Sequence, residues 1–144
     1  MNSSSNRKNA GKRSVTKPKS RTSRAKLAAA QHHVWSKVEL EALNPLLQRQ
    51  MLTGTNVMLA RILLKKGCLV PLHSHHNEQV SYVIEGALKF VVDGKNITVR
   101  AGEVLTIPPH VPHLAKALRD TVSLDIFNPP RMDWINKTDA YLRK

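Results

Sequence analysis

One cysteine, Cys68, is all this chain has, so no internal disulfide can hold its fold together, and a reducing compartment suits it. Aromatic residues are scarce at 4%, and none stands among the first 31 residues. No apolar run approaches the roughly 18 residues that a membrane span needs. Ala28–Ala30 is too short and too weakly apolar for the core of a secretory signal. Acidic residues are absent until Glu39. These absences set aside a disulfide scaffold, a helical membrane protein and a secreted precursor. They leave the expectation of a cytoplasmic protein with no membrane partner. A Ser- and Arg-rich, acid-free start also has the composition of an organelle transit peptide, which stands as the minor alternative.

What is present first is charge. The net charge of +13 is uneven: nine Lys or Arg fall within residues 1–31, and the other fourteen face all ten acids. A segment with so few large apolar side chains cannot offset its conformational entropy by burial. Residues 1–31 are therefore expected to be a disordered basic tail, and 32–144 the folded domain. A basic arm can touch nucleic acid, but without aromatic residues to stack on bases that contact is the weaker expectation. At 144 residues the chain suits one domain.

From Trp35 onward short β-rich runs alternate with turn residues, as in an all-β barrel or sandwich. The expected strands are 47–52, 56–64, 79–84, 87–92, 96–100, 104–107, 113–118 and 121–127. Asp93-Gly94 is a strong two-residue hairpin signal. Gly67, Gly86 and Gly102 mark hand-overs between runs, and Pro129-Pro130 ends the last strand. Residues 133–144 are expected to form a short helix, packing Trp134, Ile135, Tyr141 and Leu142 on the barrel.

Alternation within the strands assigns faces. Thr121, Ser123, Asp125 and Phe127 share one face, opposite Val122, Leu124 and Ile126. Gln79, Ser81 and Val83 likewise oppose Val80, Tyr82 and Ile84. Polar groups pointing inward line a cavity, not a packed core. The apolar face then needs a cover. A second copy of the chain is the expected one, making a homodimer; Trp35–Leu52 or the C-terminal helix of the same chain are the alternatives.

Five of the seven histidines lie in two clusters between positions 73 and 113. In His73-Ser-His75-His76-Asn-Glu78-Gln79, an extended backbone puts 73, 75 and 79 on one side and sends Ser74, His76 and Glu78 away. In Pro108-Pro109-His110-Val111-Pro112-His113, the prolines stiffen the approach to His113. Imidazoles with one oxygen donor suit a first-row divalent ion and leave positions open for a substrate. The candidate ligands are therefore His73, His75, Gln79 and His113, and the ion is nickel, manganese, iron or zinc. With only neutral ligands the ion keeps its full +2 charge, which favours a small carboxylate-bearing guest.

The order and spacing of the two clusters resemble the cupin motifs. Five residues separate Gly67 from His73, His73-x-His75 leads to position 79, and six residues separate position 79 from Gly86. Gly102, Pro108 and His113 follow the second motif. The sequence departs from the family pattern in three places: Gln79 stands in a Glu slot, His110 in a Gly slot, and Ala117 where an Asn is common. The resemblance implies an all-β, jelly-roll (double-stranded β-helix) barrel holding one divalent metal.

Asp125, Phe127 and Arg131 form the next constellation. Asp125 suits general acid/base work, Phe127 contact with a ring, and Arg131 a bidentate grip on a carboxylate. Spacing alone equally allows a surface Asp, a core Phe and an ion-paired Arg. The run Leu124–Arg131, together with Pro71–His75 and Glu78-Gln79, resembles the small cupins of pectin and alginate breakdown. Those proteins ketonise 4,5-unsaturated monouronates. The resemblance implies a metal held by His73, His75, Gln79 and His113, with Asp125, Phe127 and Arg131 as acid/base and substrate residues. Arg61 is a further candidate substrate contact, in a strand apolar on both faces. An Fe(II) dioxygenase-type cupin and a non-catalytic binding cupin remain the alternatives.

Overall fold

A computed structural model describes residue 1, residue 11, residues 13–17 and residues 26–144. The expectation of a disordered tail therefore falls largely outside the described residues. Chain contacts divide the molecule into Met1–Gln31 and His32–Lys144, and among the described residues all regular structure belongs to the second unit. Among the described residues, no helix is long and apolar enough to cross a membrane.

Ten strands follow in order: β1 (Glu41–Asn44), β2 (Leu47–Thr53), β3 (Met58–Leu64), β4 (Leu69–His73), β5 (Glu78–Glu85), β6 (Ala87–Val92), β7 (Lys95–Arg100), β8 (Val104–Ile107), β9 (His113–Ala117) and β10 (Thr121–Asn128). They form two antiparallel sheets, β1-β2-β3-β10-β5-β8 and β4-β9-β6-β7. This is the two-sheet jelly roll that the strand pattern implies. A 3-10 turn (Trp35–Lys37) precedes the strands. One helical turn, α1 (Met132–Ile135), and a second 3-10 turn (Ala140–Leu142) follow them.

Several local signals explain the path. Asp93 and Gly94 both adopt positive φ (47° and 76°), as the tight turn between β6 and β7 demands. His110, in a slot where a cupin motif carries Gly, takes φ 67°; the backbone keeps the left-handed geometry and the side chain bears the strain. Gly86 has φ 83°, and a side chain there would collide with Asp120 and Thr121.

The sequence reading differs from the fold in three places. β3 begins at Met58, not at 56, because Gly54 and Val57 close a turn through a backbone hydrogen bond. β1 and β4 were not expected as strands. β1 is four residues long and joins β2 through a register shift next to Pro45, and β4 carries the similarly irregular pairing Val70↔Ala115 then His73↔His113. Finally, the expected C-terminal helix is two separate turns. Trp134 and Leu142 are buried, but Ile135 stays exposed.

The core lies between the sheets. Met58, Ala60, Ile62 and Leu64 from β3 meet Leu88 and Phe90 from β6, Val99 from β7 and Ala115 from β9. A buried ionic seam ties the C-terminal segment to the first strands. Arg49, fully buried, donates to Asp139 at 2.8 Å and to Glu41 at 2.9 Å, and Arg143 bridges the same two acids. Burial alone would raise the carboxyl of Asp139, but its bonds to Arg49 and Arg143 outweigh burial and hold it low. The same holds for Glu41.

Candidate metal centre

His73 ends β4, His113 opens β9 directly opposite it, and His75 stands in the loop leading to β5. One ring nitrogen from each of the three lies within 4.8 Å of the others. Backbone carbonyls fix which nitrogen that is. Nδ1 of His73 bonds the Pro71 carbonyl at 2.7 Å, Nδ1 of His75 that of Asn77 at 3.0 Å, and Nδ1 of His113 that of Val111 at 2.8 Å. A carbonyl only accepts, so each Nδ1 carries the proton and each Nε2 presents a lone pair. Such carbonyl bonds are the usual outer support of a metal-binding histidine.

Gln79 turns inward on β5 while its neighbour Glu78 is exposed. Its Oε1 lies 3.1 Å from Nε2 of His75. Two lone-pair atoms at that distance repel unless something positive lies between them. About 3 Å is also the spacing of adjacent donors around an ion with ~2.1 Å bonds. His113 Nε2 adds a further sign, being buried with no hydrogen-bond partner; such an orphan calls for an explanation, an ion among them. The donor set thus fits a divalent cation.

Electrostatics favour the same state. Burial depresses His73 to about 4, helped by the charge of Arg131 and opposed by the Pro71 bond. His75 also falls to about 4, first by burial and then through Arg131. His113 is lowered by burial too. At neutral pH all three are neutral imidazoles, with Nε2 free to bind metal.

The cavity beside this cluster has a volume of about 50 Å³. His73, Gln79 and His113 line it, as do Ser123, Asp125, Phe127 and Arg131. Asp125 sits across the β10–β5 ladder from Ser81 and across the β10–β3 ladder from Ala60. Ser123 Oγ donates to Asp125 Oδ1 at 2.9 Å. Burial pushes the Asp125 carboxyl up to about 6, against the pull of Ser81, Ser123 and Arg131. Phe127 is 1% exposed and stands edge-on to His75 and Trp134, with ring centroids 5.7 and 5.0 Å away. It buttresses one ligand ring and forms part of the wall.

Arg131 reaches the cavity but its fork is engaged. Nε and Nη2 hold the Asp133 carboxylate at 2.9 and 2.7 Å, and Nη2 also meets the Tyr141 hydroxyl at 2.7 Å. Arg61 is not part of the site. β3 alternates with Met58, Ala60 and Ile62 inward, which sends Arg61 to the outer face, where it donates to Gln50 at 3.0 Å. With both faces of this strand apolar, parity in the sequence gave no direction; the buried register of β3 supplies it.

Three cavity residues were not foreseen as site residues. Arg49 lies on the inner face of β2, where alternation with Leu47 and Met51 was the available signal. Trp134 was expected to pack on the barrel; in fact it lies between two guanidiniums, with Arg49 4.4 Å and Arg131 4.6 Å from its ring centroid. Tyr141, 5.0 Å from the His73 ring, completes this roof.

Comparison with known proteins agrees with the motifs and the fold. Residues 60–127 match the family model described as a cupin domain. An RmlC-like cupin from Shewanella frigidimarina is 34% identical, with a TM-score of 0.69 over 74% of this chain and 96% of that one. This chain belongs to the cupin family. KdgF from Halomonas sp. shares the fold at TM-score 0.70 and 24% identity, over 74% of this chain and 99% of its own. Uncharacterized protein MJ1618 of Methanocaldococcus jannaschii is 30% identical over 69 residues, which are 47% of this chain. The match spans about half, 55%, of that curated relative.

Proposed function

We propose that this protein is a metal-dependent isomerase of a small sugar acid, ketonising 4,5-unsaturated monouronates. The observation that carries the reading is Asp125, a carboxyl that lines the same cavity as His73 and His113 and is raised by burial to about 6. A general acid/base works best when its proton affinity is matched to the operating pH. Likeness of motif to the pectin and alginate cupins, and of fold to KdgF, supports the same choice.

His73, His75, Gln79 and His113 would hold the ion, which supplies Lewis-acid stabilisation of charge developing on oxygen. The chain's own part is proton movement. Asp125 accepts the proton of the anomeric hydroxyl as the ring C–O bond breaks and the aldehyde forms. It returns that proton to the alkene carbon as the released enolate becomes a ketone. Atoms balance without oxidant or reductant. Ser123 holds the Asp125 carboxylate in place, Arg131 attracts the substrate carboxylate, and the aromatic roof keeps water away.

A homodimer belongs to the same proposal. The outer face of the six-stranded sheet exposes Tyr82, Ile84, Val104 and Ile126, each 39–57% accessible. Trp35 and Val38 cover only one end of that face, by accepting hydrogen bonds from Gln50. A second copy is the cover proposed for the remainder.

The test is incubation of metal-loaded protein with unsaturated monouronate, following loss of the ring-alkene ultraviolet absorbance. Metal-dependent acceleration is expected. No acceleration with any of nickel, manganese, iron or zinc sinks the proposal, and oxygen uptake with Fe(II) would point to a dioxygenase instead.

A further inference from the structure

Gln79 raises a problem that a glutamate would not. Its terminal amide can be turned two ways, and only one sends oxygen toward the imidazoles. Turned the other way, it would aim N–H donors at the Nε2 lone pairs and satisfy them with hydrogen bonds, in competition with a cation. Something must hold the amide.

Ser81 is placed to do so. It lies two residues along β5 on the same inward face, is 0% exposed, and accepts a hydrogen bond from Gln79 Nε2 at 2.9 Å. Asp125 lies directly across the ladder from Ser81, and the Ser81 hydroxyl is one of the groups that favour its carboxylate. An ionised carboxylate can only accept. A Ser81 proton turned toward that carboxylate leaves a lone pair for Gln79. Ser123 donates to the same carboxylate. Ser81 thus stands between Gln79, which donates to it, and Asp125, its neighbour across the ladder.

We infer that Ser81 is a positioning residue: it keeps the Gln79 carbonyl oxygen turned toward the imidazole cluster and so sets the strength of the fourth metal ligand. The inference rests on the metal-centre reading and is independent of the substrate.

The test titrates the full-length wild type and Ser81→Ala with Co(II), reading affinity by chelator competition and coordination by the visible absorption of bound cobalt. Loss of an outer support typically weakens metal affinity about 10–100-fold, and Ser81→Ala is expected in that range, with an altered cobalt spectrum. In a Gln79→Glu background the same substitution should change affinity by no more than about twofold, because coupling vanishes once a carboxylate presents oxygen either way. Thermal unfolding of the metal-free variants checks that the barrel is intact. Equal affinity and spectrum in wild type and Ser81→Ala would overturn the inference. So would an equal loss in both backgrounds, which marks a merely structural hydroxyl. A wild type that takes up no cobalt would overturn the metal centre itself, and with it the role of Ser81.

Discussion

The two sheets of this barrel treat their faces in opposite ways. The four-stranded sheet is conventional: Leu88, Phe90, Val99, Ala115 and Ala117 point inward, and exposed Lys89 and Lys116 pair with each other on its outer face. Like charges directly opposite are unfavourable in a buried setting and tolerable only in water, so this face is built for solvent. The six-stranded sheet is mixed: β3 also turns Met58, Ala60, Ile62 and Leu64 inward, but β5 and β10 place polar groups inside. Gln79, Ser81, Ser123 and Asp125 point inward, whereas Tyr82, Ile84, Val104 and Ile126 point out. The four-stranded sheet supplies His73 and His113, the six-stranded sheet Gln79 and Asp125. The cavity is the place where an apolar wall carrying imidazoles meets a wall carrying the polar side chains Ser123 and Asp125.

The sharpest way to break this contrast is to neutralise the polar wall. Asp125→Asn keeps shape and burial but removes proton transfer, so turnover is expected to fall about 10²–10⁴-fold while bound metal remains stoichiometric. Metal analysis beside the absorbance assay separates catalysis from collapse; undiminished turnover would remove Asp125 from the mechanism.

The next test charges the apolar outer face. Ile84→Asp combined with Ile126→Asp should shift the solution mass, measured by light scattering, from that of two chains to that of one. Lys89→Asp on the other sheet should leave it unchanged. A wild type with the mass of one chain would remove the second copy as the cover.

The smallest effect concerns acid stability of the metal-free protein. His73 and His75 have folded values near 4, below the ordinary 6.5. Their contribution is complete above 6.5 and is lost as pH falls toward 4, on the order of 2–3 kcal/mol for each imidazole. Asp125 runs the other way: raised from 3.8 to about 6, it favours the folded state below 3.8 and loses that contribution as pH climbs through 6. Denaturant unfolding from pH 4 to 7 should show stability rising with pH, and rising more steeply in Asp125→Asn. Parallel curves for the two proteins would show that Asp125 is not buried as described.

Much of this was legible in the sequence because the information was local and periodic. Strand alternation alone turns Gln79 inward and Glu78 outward, and the same rule puts Asp125 and Phe127 on the cavity side of β10. Asp93-Gly94 announces its own turn. What could not be read was set by distant partners. Arg61 has apolar neighbours on both sides of its strand, so only the packed register shows that it points away. Arg49 looks like an exposed cation until Asp139, 90 residues later, reaches it. Arg131 looks free to grip a ligand, and nothing in a linear reading shows that Asp133, two residues on, already fills its fork.

That last contact has a consequence for selectivity. Asp133 is a carboxylate tethered beside Arg131, with a side chain 36% accessible and therefore able to swing out. A visiting carboxylate must displace it, so apparent affinity falls by the fraction of molecules in which Arg131 is free. A neutral sugar has nothing to exchange for this internal partner and leaves it in place. On the proposed function, Asp133 is a built-in competitor that sets a threshold: a guest would need matching charge and further contacts in the cavity to take over the arginine.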